Sequence, residues 1–186
     1  MAHTRLVILL SAALGCVSPV DEYRVIAECE GPSAAGAYQL VLPNGVVQIE
    51  GRFAAGEPSG VFIIRMSSGE KVGEIPYAGN KIHGTVRLWY TPDSGSTLKI
   101  ESSYVSGYLE GTTSSWYPSG ARRAVTTYSA GRPVVSEGWL ATGEPLSTPR
   151  AALAAAAGRD ADREYYRQIR AVIDENPPTC PTSPAA

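Results

Sequence analysis

The fold is decided by a pattern whose clearest copy is residues 104–120, YVSGYLEGTTSSWYPSG. In this copy an aromatic residue, Tyr104, is followed by Gly107 and Gly111, and a Pro-Ser-Gly turn signal then ends at Gly120. The aromatic position recurs 24, 27 and 24 residues apart, at Phe53, Tyr77, Tyr104 and Tyr128. A period of this size indicates one supersecondary unit copied along the chain. The protein is therefore predicted to be built from repeats.

The turn residues of the repeat can be interpreted as backbone chemistry. Three positions after each aromatic stands Gly or Asn, the residues that most readily adopt a positive φ. We therefore predict a left-handed backbone at the repeat-turn positions Gly56, Asn80, Gly107 and Gly131. A second Gly follows four residues later in three of the four copies, at Gly60, Gly84 and Gly111, and Val135 takes its place in the last. The far end of each copy has a further turn signal, typical of a type I turn followed by a left-handed residue, ending at Gly69, Gly95, Gly120 and Gly143.

Between these turns, β-branched and aromatic residues alternate with polar ones, which is typical of strands. Hairpins are predicted over 46–66, 70–90, 97–117 and 121–140. One further strand, over 37–42, precedes them and ends at the Pro-Asn-Gly turn of residues 43–45. The predicted fold class is mainly β: an elongated antiparallel meander of nine or ten strands, arranged as stacked hairpins, with a C-terminal helical segment.

The clearest copy also resembles a known family. Tyr104, Gly107 and Gly111, followed by Trp-Tyr-Pro-Ser-Gly at 116–120, resemble the MORN repeat in the variant of bacterial antitoxin-component-like proteins. The resemblance extends over about residues 45–143, and its first and fourth copies depart from the pattern at Phe53 and Val135. It implies an elongated sheet of stacked hairpins that is used for protein or membrane contact. A shared fold does not by itself define a function.

The N-terminus predicts export and lipidation. Arg5 precedes an apolar run over 6–14, too short to span a bilayer permanently but suited to a signal-peptide core. The run ends in Ala-Leu-Gly-Cys at 13–16, which resembles the bacterial lipobox and implies cleavage before Cys16 and a diacylglyceryl group on its thiol. The alternative is an ordinary secretory signal cut nearby. Acyl chains would hold the protein at a membrane. The predicted location is the bacterial cell envelope, and the outer membrane in a Gram-negative host because Val17 and Ser18 provide no inner-membrane retention signal.

Lipidation of Cys16 would leave two cysteines, Cys29 and Cys180. An even number in an oxidising compartment favours a disulfide between them. Such a bridge would join the two ends of the mature domain and, by loop-closure entropy, stabilise it by roughly 4 to 5 kcal/mol. The alternative is two unpaired thiols, because Cys180 lies in a Pro-rich tail.

The chain divides into five predicted segments: signal peptide 1–15, lipid tether 16–22, MORN-like β-repeat domain 23–146, C-terminal helix or helices 147–175, and Pro-rich disordered tail 176–186. Thr148 is expected to cap the helix, and Gly158 could divide it. The apolar residues Tyr165, Ile169, Val172 and Ile173 recur at helical spacing. Asp162 and four arginines, at positions 159, 163, 167 and 170, fall on other faces. The helix is interpreted as a cover for the sheet, because terminal repeats need covering; a partner-binding or membrane-facing helix is the alternative.

No catalytic, cofactor or metal site is predicted. The only histidine beyond the leader is His83, and it lies in a turn without metal-spaced partners. A nucleophile elbow and a phosphate loop are both lacking, and no pair of carboxylates stands out. The 16 basic and 18 acidic residues are dispersed, so nucleic acid is not an expected partner.

The aromatic residues are the remaining candidates for function. Besides the four repeat aromatics, Phe62, Trp139 and the pairs Trp89-Tyr90 and Trp116-Tyr117 share a register. Stacked hairpins would align them as a ladder, which is interpreted as structural stacking. The alternative is an exposed binding strip, with Trp89, Tyr90, Trp116 and Tyr117 as the candidate residues.

The sequence thus predicts a membrane-anchored, non-enzymatic repeat lipoprotein that presents a β-sheet surface to another envelope protein. An antitoxin or immunity-type protein is the first alternative. An envelope glycan-binding module or hydrolase is the second, and it requires a pocket that the sequence does not reveal.

Overall fold

The computed structural model describes residues 23–30, 33–91 and 97–179. These residues form a mainly β protein, in which eleven strands make one antiparallel sheet and a single helix follows them. The predicted fold class is confirmed. The signal peptide, the lipid tether with Cys16, and residues 180–186 of the predicted tail, which include Cys180, lie outside the described residues.

The strands follow one another in the sheet almost in chain order, β1-β2-β3-β4-β5-β7-β8-β9-β10-β11, with the two-residue β6 paired to β5. The elements are β1 (Arg24–Glu30), β2 (Ser33–Val41), β3 (Val47–Ala54), β4 (Glu57–Arg65), β5 (Lys71–Ala78), β6 (Lys81–Ile82), β7 (Gly84–Trp89), β8 (Leu98–Val105), β9 (Tyr108–Trp116), β10 (Arg122–Ser129), β11 (Arg132–Gly138) and α1 (Thr148–Glu175).

The four predicted hairpins correspond to β3–β4, β5–β7, β8–β9 and β10–β11. The sequence prediction missed β1 and began β2 four residues late. Strand β1 alternates as the others do: Val25 and Ala27 are half-buried, whereas Arg24 and Ile26, which precede them, are exposed. Strand β1 pairs with β2 and adds one antiparallel neighbour at the start of the sheet.

The two kinds of turn have the predicted backbone. Gly56, Asn80, Gly107 and Gly131 have φ values of 81°, 63°, 89° and 78°. Each belongs to a two-residue turn whose other residue also has positive φ, the geometry that suits the twist of a hairpin. The second glycines, Gly60, Gly84 and Gly111, likewise have positive φ, as do the far-end glycines Gly69, Gly120 and Gly143. Gly95 lies outside the described residues.

The left-handed turn residues also join successive hairpins. The backbone N–H of Gly107 donates to the carbonyl of Ile82 over 2.8 Å, and that of Gly131 donates to Leu109 over 2.8 Å. At the other end of the strands, the Tyr90 hydroxyl donates to the Trp116 carbonyl at 2.9 Å, and the Tyr117 hydroxyl to the Trp139 carbonyl at 2.8 Å. Equivalent positions of the repeat therefore make equivalent hydrogen bonds to a neighbouring hairpin.

Helix α1 is continuous from Thr148 to Glu175, so the expected break at Gly158 is wrong. A Cβ at Gly158 would lie 2.3 Å from Nη2 of Arg123, so the missing side chain leaves space for this guanidinium. The N-cap residue is Ser147 rather than Thr148, and its side chain makes no capping hydrogen bond. The sequence prediction placed the cap one residue too late, because Pro149 occupies the second helical position rather than the first.

The helix crosses one face of the sheet. Ala151 packs against Gly138 in β11, Asp162 reaches Lys99 in β8, and the Asn176 carbonyl just after the helix accepts a 2.7 Å hydrogen bond from Tyr38 in β2. A 28-residue helix is about 42 Å long, and the eight strand spacings from β2 to β11 cover about 38 Å. The helix thus covers the sheet, in line with the preferred interpretation.

The apolar core lies between the C-terminal half of α1 and strands β2 to β8. Ile169, Val172 and Ile173 are buried there, as their helical spacing indicated. On the sheet, the core includes Tyr38, Leu40, Ile49, Phe53, Phe62, Ile64, Ile75, Tyr77, Val86, Leu88 and Ile100. The rings of Tyr38, Phe53, Phe62 and Tyr77 lie with centroids 5.1 to 6.2 Å apart. This cluster holds the first half of the sheet against the helix.

Candidate functional site

The aromatic residues do not form a single ladder, because the sheet divides them between its two faces. Phe53, Phe62, Tyr77 and Tyr128 are buried on the helix side, and Tyr104 is half-buried there against Tyr166. Trp89, Trp116 and Trp139 each follow a buried residue of the helix side, so strand alternation places them on the opposite face. The repeat aromatics are thus structural, and the tryptophans belong to a separate surface.

We call this opposite side of the sheet the uncovered face. On it the Lys71 Nζ lies 4.3 Å from the ring centroid of Trp89, and the Arg122 Cζ lies 5.9 Å from that of Trp139. Both distances fit cation–π contacts. All three tryptophans are half-buried. Each therefore keeps part of its surface accessible to a partner.

Charged residues also run across the uncovered face in register. Glu74, Arg87 and Glu101 are direct cross-strand partners on β5, β7 and β8. Arg87 lies 2.7 Å from Glu101 and 3.9 Å from Glu74, and Lys71 lies 2.7 Å from Glu74. These pairs are largely solvent-exposed, so each contributes little stability. Their alternating signs nevertheless give the face a defined charge pattern.

The four predicted binding residues are not brought together. Trp89 and Trp116 lie on the uncovered face. Tyr90 lies on the helix side, where its pKa is raised by burial and affected by the charges of Arg123 and Asp162. The hydroxyls of Tyr90 and Tyr117 are used in the inter-hairpin bonds described above.

A second candidate site lies on the helix side, between α1 and strands β8 to β10. Here the sheet carries small hydroxyl residues where its first half carries large apolar ones. Ser102, Thr113, Thr126 and Ser136 are successive cross-strand partners on β8, β9, β10 and β11, and Ser115 lies in the adjacent row. Because the side chains of Ser102, Thr113, Ser115 and Thr126 do not fill the space under the helix, a cleft of about 630 Å³ remains, and these four residues line it. We call it the helix cleft.

The helix supplies charged groups to this cleft. Arg159, Asp162, Arg163 and Tyr166 line it from α1, and Arg123 lines it from β10. Asp162 is only 2% exposed, although its helical position suggested a polar face, and Lys99 Nζ lies 3.0 Å from its Oδ1. The buried carboxylate is therefore balanced by a lysine from the sheet.

Several polar atoms of the cleft lack a hydrogen-bond partner within the described part of the chain. They include Oδ2 of Asp162, Oγ1 of Thr113 and Nε of Arg159, all buried. Tyrosine rings form the apolar walls; burial raises the pKa of Tyr104 to about 12 and that of Tyr166 well above its ordinary value. Both phenols are thus neutral hydrogen-bonding groups at physiological pH.

The sequence-based reasoning missed the helix cleft. Ser102, Thr113 and Ser115 alternate visibly along their strands, but they become one surface only through the strand register. The available signal was the replacement of apolar residues by Ser and Thr at inward positions of β8 to β10.

Three further observations concern possible metal ligands, membrane-spanning helices and His83. Over the described ranges, no three His, Cys, Asp or Glu residues are placed to hold a metal ion, and no helix is long and apolar enough to cross a bilayer. His83 is exposed, and its Nδ1 accepts a 3.3 Å hydrogen bond from the N–H of Ser106 in the turn between β8 and β9.

The predicted disulfide involves one residue beyond the described part of the chain. The Cys29 Sγ lies 3.8 Å from the carbonyl oxygen of Thr179, the residue before Cys180. The fold therefore brings Cys29 close to the chain segment that carries Cys180. The pairing itself stays a prediction.

Comparison with known proteins adds no assignment: no protein-family model matches the chain, and no curated protein matches it. The resemblance to MORN repeats thus rests on the quoted residues alone.

Proposed function

We propose that the protein is a non-enzymatic lipoprotein of the bacterial cell envelope, anchored through Cys16, that presents the uncovered face of its repeat sheet to another envelope protein. The observation that supports this most is the division of the sheet into two unlike faces. The helix covers one face, whereas the other carries three tryptophans at equivalent repeat positions, two of which make cation–π contacts.

The residues of the uncovered face suit a protein partner. Tryptophan is enriched among residues that dominate protein–protein binding energy, and the half-buried rings of Trp89 and Trp116 would lose little freedom on binding. Val61, Val105 and Val135 add exposed apolar area on this face. The charge row through Glu74, Arg87 and Glu101 would fix the orientation of a partner.

Site-specific photo-cross-linking in cells tests this proposal. A photoreactive amino acid would replace Trp116 on the uncovered face or Leu153 on the solvent side of α1, which is 72% exposed. We expect a discrete cross-linked protein from position 116 and none from position 153. The same pattern from both positions, or no product from either, would count against the proposal.

Two variants separate binding from folding and anchoring. Trp89→Ala with Trp116→Ala should abolish the cross-link from an unaltered face position such as Val105 while leaving the circular dichroism spectrum unchanged. Loss of folding would instead identify the tryptophans as structural. Cys16→Ala should release the protein from membranes; an unchanged membrane association and gel mobility would refute the lipid anchor.

The antitoxin or immunity-type alternative comes from the MORN resemblance. A toxin-like reading frame next to the gene for this protein would favour it. The glycan-related alternative required a pocket, which the helix cleft supplies.

A further inference from the structure

We propose that the helix cleft binds a small acidic saccharide: a sugar ring, or a short chain of them, that bears a carboxylate or phosphate group. This site lies on the opposite side of the sheet from the surface proposed for protein contact. The two proposals therefore stand or fall independently.

The hydroxyl floor of the cleft is the first argument. A sheet face covered by a helix ordinarily carries apolar residues, as strands β2 to β5 do. Here Ser102, Thr113 and Thr126 form a row across β8, β9 and β10 that lines the cleft, and Ser136 continues this row on β11 outside the lining. Some of this hydrogen-bonding capacity is used internally, since the Thr126 and Ser136 hydroxyls lie 3.1 Å apart. The Thr113 hydroxyl is buried without a partner among the described residues. Each hydroxyl can donate once and accept twice, so the row matches the hydroxyls of a sugar.

The charge of the cleft is the second argument. Lys99 neutralises Asp162, and Arg167 and Arg170 are paired with Glu164 and Asp174. Within the described ranges, Arg123 and Arg163 have no carboxylate within 4.0 Å. The nearest carboxylate oxygen to Arg159 is 3.8 Å away, on the exposed Asp160. The guanidinium groups of Arg123 and Arg163 therefore line the cleft without a close carboxylate, and that of Arg159 has only a distant one. Guanidinium groups bind carboxylate and phosphate in a bidentate manner, which selects an anionic ligand.

Asp162 provides the complementary acceptor. Asp162 lines the cleft, its Oδ2 is buried and lacks a hydrogen-bond donor among the described residues, and its Oδ1 faces Lys99. A buried carboxylate oxygen without a hydrogen-bond donor favours a ligand that supplies one, such as a sugar hydroxyl. An inorganic anion supplies no such donor, so the site favours a ligand with both charge and hydroxyl groups.

The size of the cleft is consistent with such a ligand. Its volume of about 630 Å³ lies within the range of small-molecule sites and is too small for a protein domain. The rings of Tyr104, Tyr128 and Tyr166 supply flat apolar walls beside the hydroxyl floor. Polar groups that converge between aromatic walls are typical of sites for small polar ligands.

Isothermal titration calorimetry on the purified full-length protein tests the assignment. The probes are glucuronate, glucose 6-phosphate, glucose and inorganic phosphate. We expect one or both acidic sugars to bind at least tenfold more tightly than glucose and than phosphate, and their order distinguishes a carboxylate ligand from a phosphate ligand. Binding of phosphate as tight as that of the sugars would reduce the cleft to an anion site and overturn the proposal. Acidic sugars no better than glucose would do so as well.

Matched variants place the binding in the cleft. Arg163→Gln removes an exposed cleft arginine without a carboxylate partner, and Thr113→Val removes the unpartnered hydroxyl at constant shape. Each should weaken acidic-sugar binding about tenfold, the effect of one lost charge-assisted or buried hydrogen bond. Arg150→Gln is the control, because Arg150 is an exposed arginine of the same helix and does not line the cleft. An equal loss in the control, or no loss in both cleft variants when they are folded, would refute the site.

Discussion

Replacing Gly51 by Ala would show whether the aromatic cluster over β3 and β4 sets the stability of the sheet. A Cβ at Gly51 would lie 2.6 Å from Cδ2 and Cγ of Phe62 and 2.7 Å from its Cδ1. The Phe62 ring is fully buried and has the rings of Phe53 and Tyr77 at 6.0 and 5.2 Å between centroids. The ring lies flat over the glycine and has little space into which to move.

The magnitude follows from this geometry. Ordinary contacts of a Cβ lie at 3.4–4 Å, so the Phe62 ring must retreat by about 1 Å within a packed cluster. Overpacking of this kind costs about 1–3 kcal/mol, partly offset by about 0.5–1 kcal/mol from the lower chain entropy of Ala relative to Gly. We expect a net loss of about 1–2 kcal/mol in the free energy of unfolding, or about 3–6 °C in Tm.

Gly73→Ala is the matched control within the same sheet. Its Cβ would lie 3.3 Å from the terminal methyls of Ile64 and Leu88, which are flexible ends that can adjust. Its effect should stay within about 0.5 kcal/mol of neutral. The double variant Gly51→Ala with Phe62→Leu should be more stable than the sum of its single changes, because the shorter side chain removes the clash.

Urea unfolding followed by circular dichroism, analysed at constant m-value, measures these differences. A Gly51→Ala protein as stable as wild type would refute the close packing of Phe62 on Gly51. Strict additivity in the double variant would refute it too.

The remaining predictions concern backbone strain, ionisation and the disulfide. Ala130→Asn should raise the free energy of unfolding by about 0.5–1 kcal/mol, since Ala130 has φ 49° and Asn tolerates this conformation; a lower Tm in calorimetry would contradict it. Burial raises the pKa of Tyr77 and Tyr104 to about 12, so the folded state holds these protons more tightly than the unfolded chain, whose pKa is about 10. Stability should be intact below pH 10 and fall by about 1.4 kcal/mol per pH unit per tyrosine up to pH 12, with Tyr77→Phe showing a shallower fall in alkaline unfolding. Cys29→Ser should lower the free energy of unfolding by about 4–5 kcal/mol under oxidising conditions and match the reduced wild type, whereas equal stability of oxidised wild type and variant would exclude a bridge to Cys180.

The sequence predicted the features that depend on local backbone chemistry. Asn80 was recognised as equivalent to Gly56 and Gly107 because all three must accept a positive φ, and the structure confirms this. The hairpins between the turns were predictable because apolar and polar residues alternate over each short strand. Strand β1 was missed although it alternates too, because its small residues Ala27 and Cys29 give a weak apolar signal.

Features that depend on pairing between distant residues could not be obtained in the same way. The aromatic residues are divided between the helix side and the uncovered face of the sheet. The 24- to 27-residue period does not reveal which face each aromatic occupies or which face α1 covers. Asp162 was assigned to a polar face because helical periodicity does not reveal that Lys99, on β8, provides a buried partner. The helix cleft likewise exists only because the register of β8, β9 and β10 sets small hydroxyl residues side by side.

The length of α1 limits the number of repeats that the protein can contain. A hairpin repeat can in principle be duplicated without limit, because each copy contacts only its neighbours. Here every added hairpin would widen the sheet by two strands, about 9.6 Å, and would require six or seven more helical residues, about two turns, to stay covered. Growth by duplication in this protein therefore depends on a matching insertion in a different segment of the gene. A duplication without it would expose the apolar inner face of one hairpin to solvent.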